Sequence, residues 1–283
     1  MPELPEVEVL VRHLDPLLRG QQIQGVKVHR ARVVRPLAPS TLEQSLVGLR
    51  LDGARRRGKF LRFPLISSRS DSPASIVGHL GMTGRMFVRP TSMDVSRHAV
   101  VTIQLEGAEW VFEDVRGFGQ FHLDESVLSQ LGPEPWDPNW TDASFAAALS
   151  RSSQPIKVKL LDQAVVAGVG NIYASEALFR AGIHPSIPSH RLTLGQLSVL
   201  RRTILEVLEE AIRFGSSLPL NFAEGSGGLF YYGTTSNPDF YEERLRVYDR
   251  AGLPCRSCGS PIEKCVQAAR STFFCPQCQA KPS

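Results

Sequence analysis

The stretch Cys255–Cys278, CRSCGSPIEKCVQAARSTFFCPQC, decides how the end of the chain folds. Its cysteines fall as Cys255-x2-Cys258 and Cys275-x2-Cys278, two knuckles separated by sixteen residues, which can set four thiolates tetrahedrally around one zinc ion. Between the knuckles, Pro261-Ile262 and Ser271-Thr272-Phe273-Phe274 read as strands of a hairpin, making a zinc ribbon too small to fold without its metal. Four protein ligands leave no open coordination position, so the zinc is structural. Cys265 fits neither knuckle and reads as a spare thiol. All five cysteines lie in the last 29 residues and none in the preceding 254, a clustering that argues for metal rather than disulfides. Arg270 stands on the hairpin beside the second knuckle, where a guanidinium can grip phosphate with two hydrogen bonds.

Upstream of the ribbon the periodicity is helical, in SFAAALS, IKVKLLDQAVVAG, NIYASEALFRAG and LGQLSVLRRTILEVLEEAIRFG. Gly168-Val169-Gly170 joins two of these stretches and allows a tight turn. Asn171 then begins a helix whose free N–H groups attract phosphate, although the spacing alone better fits an ordinary helical hairpin in a core. The Pro-, Asp- and Asn-rich segment LGPEPWDPNWTDASF marks a domain boundary near residues 131 to 142. Before it come short β-rich runs, QIQGVKVHRARVV, KFLRFPL, SIVGHL, AVVTIQLEG and EWVFEDV, with turns at Asp52-Gly53 and Glu106-Gly107. The opening PELPEVEVLVRHLDPLL is a helix with one apolar stripe, Val7, Leu10, Val11, Leu14 and Leu18.

The predicted fold is therefore α+β and multidomain. An N-terminal antiparallel β-sandwich with an N-terminal helix occupies residues 1–135, and a helical domain residues 136–240, including a long Gly/Ser-rich, aromatic segment from 216 to 240. The zinc ribbon takes 241–283. The net charge of +4 is unevenly spread: residues 1–70 carry 13 Lys+Arg against 6 Asp+Glu, and residues 241–283 carry 7 against 4. Positive ends suit a partner with a dense negative backbone, and equally suit two ordinary solvated faces. No apolar run of the roughly 18 residues needed to cross a membrane is present, and the opening residues are too acidic and proline-broken for a signal peptide. A cytoplasmic, nucleoid-associated monomer is the expectation.

Removal of Met1 would expose Pro2 as a secondary amine beside Glu3, with Glu6 one turn further on. A terminal amine has an unperturbed pKa of roughly 8, low enough for part of it to be neutral and nucleophilic near neutral pH. A buried, protonated Glu3 could act as an acid; by residue type alone, Glu3 and Glu6 are better explained as favourable charges at a helix start.

Taken together and in order, PELPEVE, RRRGKF, HLGMTGR, VVAGVGNIYASEALF and the ribbon with RSTFFCPQCQ resemble the formamidopyrimidine-DNA glycosylase / endonuclease VIII family over nearly the whole chain. Leu4, where the endonuclease VIII branch usually has glycine, favours the oxidised-purine branch. The resemblance implies excision of bases such as 8-oxoguanine or formamidopyrimidine from double-stranded DNA, followed by strand cutting through β,δ-elimination. It implies Pro2 as Schiff-base nucleophile, Glu3 as proton donor, Lys59 assisting lesion chemistry and β-elimination, and Arg270 holding phosphates and aiding δ-elimination. Asn171 and His98 match backbone-contacting residues, and Met82, Arg116 and Phe118 match the three that fill the gap left by a flipped nucleotide. By residue type alone, Met82 and Phe118 would be core.

Three departures stand out. Arg116-Gly117-Phe118 replaces the usual Arg-Arg-Phe, with Val115 where a stiffening proline is customary. Leu218 to Phe240 is longer and more aromatic than the usual lesion-capping loop, and the basic residue expected before the helix-two-turn-helix has Arg151 as its nearest candidate. The alternatives are an endonuclease VIII-like enzyme for oxidised pyrimidines, a non-catalytic zinc-ribbon DNA-binding protein, and an N-terminal-proline tautomerase, which would leave the ribbon unexplained.

Overall fold

The computed structural model describes residues 2–67, 73–92, 96–215 and 245–281. They divide into two compact units, with the break between Gln130 and Leu131.

The first unit opens with helix α1 (Leu4–Leu18), whose stripe of Val7, Leu10, Val11, Leu14 and Leu18 is buried throughout. Then come β1 (Gly25–Val28), α2 (Pro39–Leu46), β2 (Arg50–Leu51), β3 (Arg55–Arg57), β4 (Phe60–Ile66), β5 (Ser75–His79) and β6 (Gly84–Pro90). The unit is completed by β7 (Ala99–Gln104), β8 (Ala108–Asp114), β9 (Gln120–His122) and the short α3 (Ser126–Ser129). One antiparallel sheet runs β1-β7-β8-β6, and the other β2-β4-β5-β9 with β3 paired to β4. Their inner faces share a core with α1: Met86, Ile103, Trp110 and Phe112 from one sheet, Phe63, Ile76 and Phe121 from the other. The rings of Phe63 and Trp110 lie 4.4 Å apart across it. Each such side chain contributes roughly 1.5–3 kcal/mol by leaving water.

Two expectations need correction here. The run QIQGVKVHRARVV is strand only over Gly25–Val28, and Ala31–Val34 is a 3-10 turn. Val33 and Val34 are neighbours and both buried by this turn, so their apolar character imitates a strand in the sequence. Helix α2 escaped the periodicity reading because its buried stripe is just Leu42 and Leu46; Pro39 near its start is the signal that was there.

The second unit contains α4 (Asp142–Leu149), α5 (Ile156–Leu160), α6 (Asn171–Arg180), α7 (Leu194–Gly215) and the ribbon hairpin β10 (Glu263–Gln267) and β11 (Arg270–Phe274). Thr141 caps α4 by accepting the Ser144 N–H at 3.1 Å. The helix expected across IKVKLLDQAVVAG stops at Leu160. Beyond Leu160 the chain forms a pair of turns laced by Gln163, whose amide donates to the carbonyls of Leu161 (3.0 Å) and Val169 (2.9 Å) and accepts from the Gly168 N–H (2.9 Å). In the ribbon, Pro261-Ile262 precedes the first strand instead of forming it; Pro261 makes only an isolated bridge to Pro254. Proline has no N–H to give a ladder.

Val247, Ile262 and Phe273 of the ribbon pack against Phe179 of α6. Beside them the buried Glu176 carboxylate accepts the N–H groups of Arg246, Val247 and Tyr248, the last two at 2.9 Å. Burial nonetheless raises the Glu176 pKa above the ordinary carboxylate value. Among the described residues no helix is long and apolar enough to cross a membrane.

Candidate active site and nucleic-acid interface

Pro2 is buried, and Glu3, 1% exposed, is the N-cap of α1. Glu6 reaches back to accept the Glu3 N–H at 2.8 Å, so this carboxylate serves the helix start as well as crowding a second carboxylate. Burial, and then the neighbouring charge of Glu3, push Glu6 up to about 7 against the opposing pull of the Glu3 N–H. A carboxyl held at about 7 is protonated in a substantial share of molecules at neutral pH, so both of these groups are not ionised throughout.

Lys59 belongs to the Gly58-Lys59 turn closed by the Arg57–Phe60 pair of β3 and β4. It is 8% exposed. Helix α1 packs on both strands, and the Arg56–Glu8 ion pair at 2.8 Å fastens β3 to α1. Pro2, Glu3 and Lys59 are thus carried by one packed helix–hairpin unit. His79 joins them from β5, paired across the sheet with Phe60, its ring 4.8 Å from that of Phe60. Burial first, and then the charges of Lys59 and His122, hold His79 down to about 4. Being neutral, it accepts the Gly81 N–H at Nδ1 (3.1 Å), which leaves its proton on Nε2.

Met82, Arg116 and Phe118 lie on two turns of the same unit. Met82 is half-buried between β5 and β6, and Arg116 and Phe118 follow β8, Arg116 exposed and Phe118 46% exposed. The expectation of core residues from residue type fails because both apolar side chains sit on turns. The Phe118 ring is flanked by guanidiniums, those of Arg116 and Arg32 at 5.0 and 5.6 Å from its centre. His98 stands just before β7; Arg97 donates to its Nε2, and its buried Nδ1 has no partner among the described residues.

In the second unit Asn171 is the first residue of α6. Its Oδ1 accepts from the wholly buried Lys157 ammonium, and its Nδ2 donates to the Ser271 carbonyl at 2.9 Å, adjoining the exposed Arg270. Asn171 and Arg270 are thereby brought together. The sulfurs of Cys255, Cys258, Cys275 and Cys278 all lie within 4.8 Å of one another, with Cys255–Cys278 at 3.9 Å and Cys258–Cys275 at 3.4 Å. Thiolates about 2.3 Å from a tetrahedral zinc have edges of about 3.8 Å, so the quartet fits one structural zinc. Cys265, on β10 opposite Thr272, is outside it.

Comparison with known proteins agrees with this layout along the chain. Residues 1–121 match the formamidopyrimidine-DNA glycosylase N-terminal domain, 131–220 its H2TH domain, and 252–281 a zinc finger found in FPG and IleRS. The formamidopyrimidine-DNA glycosylases of Synechococcus and Bacillus licheniformis are 41% and 37% identical, each alignment covering 99% of this chain and 99% and 100% of theirs. The chain belongs to the formamidopyrimidine-DNA glycosylase family. A Lactococcus lactis member of that family solved with abasic-site DNA superposes with a TM-score of 0.85 at 31% identity, over 99% of this chain and 100% of that one. Another, solved with FAPY-dG DNA, gives 0.84 at 32% over the same shares.

Two residues that neighbour the expected site residues escaped sequence reasoning. His79 lay inside HLGMTGR without a feature to single it out. Lys157, rather than the exposed Arg151, meets Asn171; a lysine in IKVKL gives no local sign that it will be buried. The Leu218 to Phe240 loop lies outside the described residues.

Proposed function

We propose that the chain is a bifunctional DNA glycosylase and abasic-site lyase that excises oxidised purines, 8-oxoguanine and formamidopyrimidines, in base excision repair. The reading is carried by the buried Pro2–Glu3 pair at the N-cap of α1, packed with the hairpin that bears Lys59. Once Met1 is removed, the Pro2 amine attacks C1′ of the damaged nucleotide, and the base departs with the electron pair of the glycosidic bond and takes up the proton that the amine gives up. Glu3 in its protonated form delivers its proton to the ring oxygen as the sugar opens. The resulting C1′ iminium acidifies the C2′–H, and loss of that proton expels the 3′ phosphate. Lys59 assists here. Arg270 steadies the phosphates through the second elimination on the 5′ side, with Asn171 and His98 on the backbone. Met82, Arg116 and Phe118 fill the space of the extruded base. The first unit is the catalytic domain, the helices and ribbon the DNA-binding part, and the protein works as a cytoplasmic, nucleoid-associated monomer.

Borohydride reduction during turnover should trap an enzyme–DNA adduct that peptide mass places on Pro2. A version retaining Met1 should bind lesion DNA but neither trap nor nick it. An adduct on Lys59, or full activity with Met1 in place, would overturn the mechanism.

A further inference from the structure

Asp114 closes β8 and is 0% exposed. Its strand partner, Gly84, brings no counter-charge, and the carboxylate is satisfied instead by donors on the turns around it. Oδ1 accepts the Thr83 hydroxyl at 2.5 Å and the Arg116 N–H at 3.2 Å, and Oδ2 accepts the Gly119 N–H at 2.7 Å. The Arg116 N–H also points to Thr83 Oγ1 at 3.2 Å. The turn bearing Met82 and the turn bearing Arg116 and Phe118 are therefore bound to the same carboxylate. The main chain of Asp114 extends the arrangement: its N–H donates to the His98 carbonyl at 3.0 Å, and its carbonyl accepts from Arg30 at 3.1 Å. Gly81 completes the contact between the turns. A Cβ there would lie 2.6 Å from the Phe118 carbonyl carbon, so only glycine allows the approach.

We propose that Asp114 and Thr83 are positioning residues that lock the two base-replacing turns into one rigid wedge. The inference rests on the reading of Met82, Arg116 and Phe118 as the residues that fill the flipped-out gap. It also explains how the second turn holds its shape with Val115 in place of proline and with Gly117 at φ 67°, in the left-handed region that glycine tolerates. A buried carboxylate that accepts several charge-assisted bonds is stiff, and losing one of them leaves a buried polar group unsatisfied.

The test compares single-turnover cutting of an 8-oxoguanine:C duplex with cutting of a duplex holding a preformed abasic site, where no base must be extruded. Asp114→Asn and Thr83→Val should slow the paired lesion by about tenfold or more, the scale of one lost buried hydrogen bond, and leave the abasic substrate within about threefold. Thr83→Ser, which keeps the hydroxyl, should restore the paired-lesion rate. Thermal unfolding of each variant detects any that fail to fold, and Thr83→Val, altered on a half-buried turn, carries the test if Asp114→Asn does not fold. Equal loss on both substrates, or no loss on the paired lesion, would overturn the clamp. Met82→Ala separates the two ideas: if it too shows no difference between substrates, the wedge reading has failed; if it shows the difference and the clamp variants do not, the clamp alone has failed.

Discussion

A histidine that stays neutral when folded makes stability depend on acid. His79 is held down to about 4, whereas the unfolded chain protonates near its ordinary 6.5. Its contribution is complete above the unfolded value and is lost as pH falls from 6.5 towards 4, because only the unfolded state binds the proton in that window. The shift corresponds to at most about 3 kcal/mol. His79→Asn retains an acceptor for the Gly81 N–H but does not titrate. Urea unfolding at neutral pH and at about pH 4.5 should therefore find the wild type losing more stability on acidification than the variant. Parallel losses would mean that His79 is not the buried group responsible. At this scale the sequence was only partly legible. Pro2, Glu3 and the knuckle cysteines announce themselves by position or spacing and Lys59 through the family resemblance alone, but Asp114 cannot, since its hydroxyl partner Thr83 is 31 residues away. Lys157 is hidden for a related reason: what makes its burial tolerable, Asn171, lies 14 residues on and across two turns.

Among the elements, the ribbon hairpin is under strain. Gln267 pairs with Arg270, leaving a two-residue turn of Ala268 and Ala269, and both have positive φ, 46° and 58°. That is the φ pattern of the type I′ turn, which prefers Asn-Gly because a Cβ is unfavourable in the left-handed region. Replacing Ala268-Ala269 with Asn-Gly should stabilise the hairpin by about 1 kcal/mol and shift the midpoint of zinc release to higher chelator concentration. A shift the other way would show that the alanines are not strained. Elements with a sustained repeat, such as α1 and α7, were readable because their burial follows one stripe. The linker after α5 was not, because its apolar residues Val165, Val166 and Ala167 are buried in succession by turns, while their run following Leu160 and Leu161 reads as more helix.

Across the whole molecule, the order of a sheet-rich part, a helical part and a metal-bound end could be read from composition and spacing. The bonds between distant segments could not. Asn171 and Ser271 are one hundred residues apart yet joined side chain to main chain, immediately beside Arg270. The consequence is genetic. An Asn171→Ala change removes its own contact and also unfastens the strand that presents Arg270, so the two positions should not be independent. In a double-mutant cycle with Arg270→Ala, abasic-site binding losses should fall short of their sum by about 0.5–3 kcal/mol, and simple additivity would show the strand to be held without Asn171. If the cycle closes as expected, a lineage that has weakened one of these residues gains little from keeping the other. The pair would then tend to be retained or abandoned together.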